Sequence, residues 1–136
     1  MKHTVFLSLG SNLGDKNLNL STAINRIAEK TGVLSAISSV YETQPWGFDS
    51  ENLFYNMAIK IETELTPMDV LKSTQQIEQE MGRTQKTTHS YADRLIDIDI
   101  ILYDDLVYQS DELTIPHPHY REREFVMAPL REIFLN

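Results

Sequence analysis

Asp97 and Asp99 lie two residues apart in Leu95–Tyr103, a run that is otherwise apolar. On a β-strand that spacing turns both side chains to one face, with Cα atoms roughly 6.5–7 Å apart. Two ionised carboxylates so placed repel, and aspartate is disfavoured in strands. The flanking residues of that face, Leu95 and Ile101, are apolar, so a solvent-washed edge does not account for the pair. A divalent cation does. Mg²⁺ suits two carboxylates best, because it completes its shell with water and phosphate oxygens. Arg94 stands three residues before Asp97, and the stretch 81–92 holds Arg83 and Lys86 but no acidic residue. Carboxylates for a metal beside arginines for phosphate are the parts that phosphoryl transfer uses to position and neutralise charge. A rival reading combines Asp97 and Asp99 with His117 and His119 of Pro116-His-Pro-His119 in the metal centre of a hydrolase. An exposed His119 beside a phosphate-facing His117 is equally simple. His3 and His89 read as ordinary exposed histidines.

Other residues carry weaker signals. Gly10-Ser-Asn-Leu-Gly14-Asp-Lys16 has the wrong spacing for a phosphate-binding G-x-x-x-x-G-K-[ST] loop and reads as a turn into a helix. Asn56 sits in an apolar strand, where its amide needs partners from backbone or from a heterocycle. Trp46, Phe54 and Phe125 are aromatics in or beside loops. Gln75 and Glu78 are neighbours on one helix face, and by themselves they read as a solvated face.

These residues need elements to hold them. His3–Leu9 is β-rich, and Leu20, Ala23, Ile24, Ile27 and Ala28 recur at helical spacing, with Gly32 as the expected stop. A second strand is expected within Val33–Thr43. Tyr55, Met57, Ile59 and Ile61 alternate with Asn56, Ala58, Lys60 and Glu62, which predicts a half-buried strand. Thr66-Pro67 opens a second helix as N-cap and first-turn proline, with Val70, Thr74, Ile77 and Met81 as its stripe and Gly82 as its end. Leu95–Tyr103 is the strongest strand, and Phe125, Val126, Ala128, Leu130 and Ile133 predict a last short helix bent near Pro129. The order β-α-β-β-α-β with a C-terminal extension predicts an α+β, ferredoxin-like antiparallel sheet with helices packed on it. The stretches 44–52 and 83–93 read as long loops, expected to close over bound ligands.

Composition bounds the rest. A chain of 136 residues with 41% apolar content is expected to form one domain, residues 1–136, with an adequate core. It has no cysteine, which excludes disulfides, thiolate metal sites and a cysteine nucleophile. No run approaches a signal-peptide core or a membrane span, so a cytoplasmic protein is expected. Twelve basic against twenty acidic residues, net −8, argue against nucleic acid as a partner. A non-catalytic ferredoxin-like ligand-binding module is compatible with all of this, as is an enzyme.

The pieces occur together, in this order, in one family. The sequence resembles the 6-hydroxymethyl-7,8-dihydropterin pyrophosphokinase family from Leu7-Ser-Leu-Gly-Ser-Asn-Leu-Gly14 to Phe125-Val-Met-Ala-Pro-Leu130. Between those ends lie Tyr41-Glu-Thr43, Tyr55-Asn56, Gln75 to Glu78 with Gly82-Arg83, Arg94-x-x-Asp97-Ile-Asp99 and Ile115-Pro-His117-Pro. The resemblance implies pyrophosphate transfer from ATP to the hydroxymethyl pterin, with AMP leaving, in a monomer. It implies that Asp97 and Asp99 hold two Mg²⁺ ions and that Arg83 and Arg94 act on the transferred group. Phe54 and Phe125 would sandwich the pterin, Asn56 would bond its amide edge, and Thr43 and Trp46 would complete the pocket. Gln75, Glu78, Arg83, Arg94, Ile100, Thr114, His117 and Arg123 would line the nucleotide side, and Tyr91 falls in the catalytic loop. Gln85, Asp93 and Glu112 depart from residues common in the family, and Lys86 is an additional cation nearby.

Overall fold

A computed structural model describes residues 2–43, 53–82 and 95–134. Trp46, Arg83, Lys86, Tyr91 and Arg94, and the whole of both expected long loops, lie outside the described residues. Among the described residues no helix is long and apolar enough to cross a membrane.

The chain runs β1 (His3–Ser11), α1 (Lys16–Lys30), β2 (Val33–Ile37), β3 (Tyr41–Thr43), β4 (Phe54–Thr63), α2 (Pro67–Glu80) and β5 (Asp97–Tyr103). A small ladder of β6 (Tyr108–Gln109) and β7 (Thr114–Ile115) follows, then a 3-10 turn at Tyr120–Glu122 and α3 (Glu124–Ile133). The main sheet is antiparallel in the order β2-β4-β1-β5, and β3 pairs with the first half of β4. This is the expected α+β ferredoxin-like sheet, with the region 33–43 divided into two strands rather than one. Residue 38 marks the division. The Ala58 N–H donates to the Ser38 hydroxyl at 2.8 Å, a side-chain substitute for a ladder bond.

Both helix starts behave as their sequences require. Asp15 and Thr66 are N-caps whose side chains accept from the Leu18 and Asp69 N–H groups. Gly82, at φ +115°, follows the end of α2 in a conformation that favours glycine. Gly32 has a different reason. Thr31 caps α1, and a Cβ at position 32 would lie 2.6 Å from the Glu62 carbonyl oxygen, so glycine is there to let β4 pass.

The sheet is covered on both faces. Val5, Leu7 and Leu9 of β1, Met57, Ile59 and Ile61 of β4, and Ile98 and Ile100 of β5 pack with Ile27, Val70 and Ile77 of the two long helices. On the other face Phe6, Ala58 and Ile101 pack with Val126, Leu130 and Ile133 of α3. β4 is therefore buried on both sides, where its alternation predicted only one: Asn56 and Ala58 are as enclosed as Met57 and Ile59. The carboxyl-terminal helix supplies the second cover.

His3 is also a correction. Its Nδ1 lies 2.6 Å from Asp104 Oδ2, its ring is 4.8 Å from that of Tyr103, and Asp104 accepts the Thr4 N–H. Together they fasten the end of β5 to the start of β1.

Candidate active site

Side-chain alternation brings the first set of residues together. β1 pairs with β4 and β5, so Gly10 lies between Asn56 and Asp97, and Ser8 between Ala58 and Asp99. Phe6, the next β1 residue on this face, lies under α3. Asp97 and Asp99 thus share the α3 face, as their spacing predicts, and both are half-buried. A register shift between β1 and β5 leaves Ile101 as the extra residue of a bulge, on the same face as the aspartates. β5 itself starts at Asp97. Leu95 precedes it, with its side chain beside Gly14 and Gly82.

Gly10 departs from its expected place. It was expected in a turn, yet β1 continues through Ser11. A methyl group at position 10 would lie 3.1 Å from Asn56 Oδ1 and 3.6 Å from Phe54 Cδ1. The bare backbone lets the Asn56 amide and the Phe54 ring approach the strand closely. Asn56 is 4% exposed, and its Nδ2 donates to Thr43 Oγ1 at 2.6 Å. Its Oδ1 is directed over Gly10 as an acceptor.

β5 is an edge strand, and other elements cover its edge. Glu78 of α2 is 5% exposed, and its Oε2 accepts the Ile98 N–H at 2.8 Å. This corrects the solvated face expected for Gln75 and Glu78: Gln75 is half-buried, but Glu78 is interior, anchoring the strand between the two aspartates. Further along, the His117 N–H donates to the Ile101 carbonyl at 3.0 Å. Burial and the charge of Arg123, with a smaller part from His119, hold the His117 imidazole down to about 4 against the opposing pull of Asp97. It is neutral at pH 7. Its Nδ1 accepts the His119 N–H at 3.3 Å, so the ring proton sits on Nε2, a donor. Arg123 lies over the Phe125 ring, 5.8 Å from its centroid, and Phe125 packs at the margin of the α3 core.

One end of the α3 face thus carries two carboxylates, an amide and an aromatic, with a neutral imidazole and a guanidinium at its border. Residues 6–135 match the family model of 7,8-dihydro-6-hydroxymethylpterin-pyrophosphokinase, HPPK. The chain belongs to the HPPK family. It is 48% identical over 133 residues to a 2-amino-4-hydroxy-6-hydroxymethyldihydropteridine pyrophosphokinase of Porphyromonas gingivalis, covering 95% of this chain and 89% of the relative. A Bacillus subtilis protein of the same name is 40% identical over 134 residues, covering 98% and 79%. Among solved structures, Plasmodium falciparum HPPK-DHPS with pterin and p-hydroxybenzoate superposes with a TM-score of 0.77 at 16% identity. That match covers 97% of this chain but 40% of the other, and it shows the shared fold.

HPPK membership sets aside the non-catalytic binding module, and the local geometry sets aside the hydrolase centre. Among the described residues, no three His, Asp or Glu side chains gather as metal ligands. His117 Nδ1 is taken by the backbone, while His119 is exposed with its Nδ1 3.6 Å from Glu122. Of the other expected HPPK site residues, Thr43 and Phe54 are opposite each other in β3 and β4, both half-buried. Thr114 is half-buried in β7. Ile100 points into the core beneath α1 and α2, the face away from the aspartates, so only its backbone is available to a nucleotide.

Proposed function

We propose that the end of the sheet around Asn56, Gly10 and Asp97 is where this HPPK transfers pyrophosphate from ATP to 6-hydroxymethyl-7,8-dihydropterin, a step of folate biosynthesis. The observation that carries the assignment is one sheet row. An amide acceptor and a carboxylate flank a glycine whose missing side chain lets that amide and the Phe54 ring lie close over the strand. Asn56 Oδ1 accepts from the N–H groups of the pterin amide edge, with Thr43 holding its orientation. Phe54 and Phe125 stack on the ring, and Trp46 closes the pocket.

Asp97 and Asp99 suit Mg²⁺ by their chemistry: two half-buried carboxylates on one face, with the remaining ligands left to water and phosphate. Two such ions supply charge neutralisation on the phosphate oxygens. The pterin hydroxymethyl oxygen bonds to the β-phosphorus as the bond from that phosphorus to the α,β-bridging oxygen breaks. AMP leaves with the bridging oxygen, the hydroxyl proton passes to solvent, and Arg83 and Arg94 stabilise the charge that builds on the transferred group. His117 donates from Nε2 on the nucleotide side without adding a positive charge, and Gln75, Thr114 and Arg123 complete that side. Residues 1–136 act as one pyrophosphokinase domain, a cytoplasmic monomer.

The test is AMP formation from ATP. AMP is expected only when both hydroxymethyl pterin and Mg²⁺ are present. Asp97→Asn and Asp99→Asn are each expected to cut turnover by at least ~10²-fold, as loss of a main electrostatic element does. Undiminished turnover in either variant at saturating Mg²⁺ removes the metal assignment.

A further inference from the structure

Glu132 is an unusual residue to find in the last turn of α3. A carboxylate there opposes the helix macrodipole, which favours cations at that end. Its side chain does not simply project into water. Oε2 accepts from the Ser39 N–H at 2.7 Å and from the Ser39 hydroxyl at 2.9 Å, and Oε1 accepts from the Tyr41 hydroxyl at 2.8 Å. Three donors from the segment entering β3 converge on one carboxylate of α3. The Ser39 N–H first, then the Tyr41 and Ser39 hydroxyls, hold it below its ordinary range, and the bond to Glu132 in turn pushes the Tyr41 hydroxyl up.

The two ends of this clasp lead to the pocket. Tyr41 is paired with Asn56, and Thr43, two residues on, is paired with Phe54 and bonded to Asn56. On the helix, Phe125 is seven residues before Glu132, on the same face two turns away. The apolar contacts of Val126, Leu130 and Ile133 hold α3 on the sheet, but such contacts are non-directional and permit rotation and sliding. Directional hydrogen bonds do not.

We propose that Glu132 is a positioning residue for pterin binding: it fixes α3, and with it Phe125, against the β3–β4 pair that carries Thr43, Phe54 and Asn56. It touches neither substrate. The inference rests on the assignment of those four residues to the pterin pocket.

Steady-state kinetics on Glu132→Ala, Glu132→Gln, Tyr41→Phe and Phe125→Ala test it, with melting temperature as the check on folding. Glu132→Ala is expected to raise the KM for the hydroxymethyl pterin by ~10-fold and to leave the KM for ATP within twofold. Glu132→Gln is expected to restore the pterin KM, because the amide oxygen can serve Ser39 and the amide N–H can donate to the Tyr41 oxygen. Tyr41→Phe loses one of the three bonds and is expected to fall between. It remains informative if Glu132→Ala does not fold. An unchanged pterin KM in the folded alanine variant, or equal rises for both substrates, overturns the proposal. So does an unchanged pterin KM in Tyr41→Phe if the alanine variant cannot be studied. Phe125→Ala separates the two levels: if it raises the pterin KM and the clasp variants do not, the clasp fails alone. If Phe125→Ala also leaves it unchanged, the pocket assignment has failed.

Discussion

At the scale of single residues, the site depends as much on a missing atom as on the groups present. Gly10 is in ordinary strand conformation, so its backbone accepts any residue; what it contributes is the close approach of the Asn56 amide and the Phe54 ring over the sheet. Gly10→Ala is therefore expected to fold, with stability changed by no more than ~1 kcal/mol. The new methyl would stand 3.1 Å from Asn56 Oδ1, where the pterin edge is proposed to lie. Pterin affinity is expected to fall by at least ~10-fold, about 1.4 kcal/mol, with ATP affinity unchanged. Titration of the variant with each ligand measures both. Full pterin affinity would show that the pocket does not extend over position 10. Gly10 was not legible in the sequence because Gly-Ser-Asn has the composition of a turn. Only pairing on both sides shows that the strand goes on.

At the scale of elements, the cap of α2, the apolar stripes of α1 and α2 and the long strands were legible, because each depends on residues within a turn or two of one another. Glu78 was not. Three residues from Gln75 on an amphipathic helix, it has the local signature of a solvated carboxylate, and only the arrival of β5 buries it against the Ile98 N–H. Its removal leaves that donor unsatisfied at a sheet edge. Glu78→Ala is expected to lower stability by about 1.5–3 kcal/mol, the range for a hydrogen bond to a charged group, and Glu78→Gln by less because an acceptor remains. Urea unfolding checks this. A loss below ~0.5 kcal/mol for Glu78→Ala would mean that the carboxylate does not anchor the strand. The region 33–43 likewise hid its division, since the Ser38 hydroxyl that replaces a ladder bond finds its partner, Ala58, twenty residues away.

At the scale of the whole molecule, the pH dependence of stability follows from where folding puts its ionisable groups. His117 is held down to about 4 in the folded protein against an ordinary 6.5, so between those values the unfolded chain binds more protons. Stability then rises with pH, and acidification from about 6.5 toward 4 withdraws it. Glu132 adds to the acid side: its carboxylate is lowered by the Ser39 and Tyr41 bonds, so its contribution is present above the ordinary 4.5 and lost as pH falls through its folded value. Glu80, lowered by Lys30 first, acts in the same direction, but it is a surface pair that salt screens. Melting temperature should therefore decline from pH 7 to pH 4, and His117→Asn should flatten the part above pH 4.5. An unchanged slope in that variant would show that His117 is not the titrating group.

By itself the sequence determined the β-α-β-β-α-β order of the main elements, the antiparallel α+β sheet, the shared face of Asp97 and Asp99, and the family whose ordered motifs it carries. Each of these is written in short-range spacing: a period of two or of 3.6, a cap beside its helix, a motif within a few residues. The tertiary structure alone decided that Gly10 belongs to the strand, that Glu78 is interior, that β4 is covered on both faces, and that His117 is a neutral donor. It alone joined Glu132 to Ser39 and Tyr41, and His3 to Asp104, pairs more than ninety residues apart. The physical reason is the same throughout. A side chain's burial, charge state and partner depend on what the fold brings next to it, and residues so distant along the chain leave no trace of that meeting in local pattern.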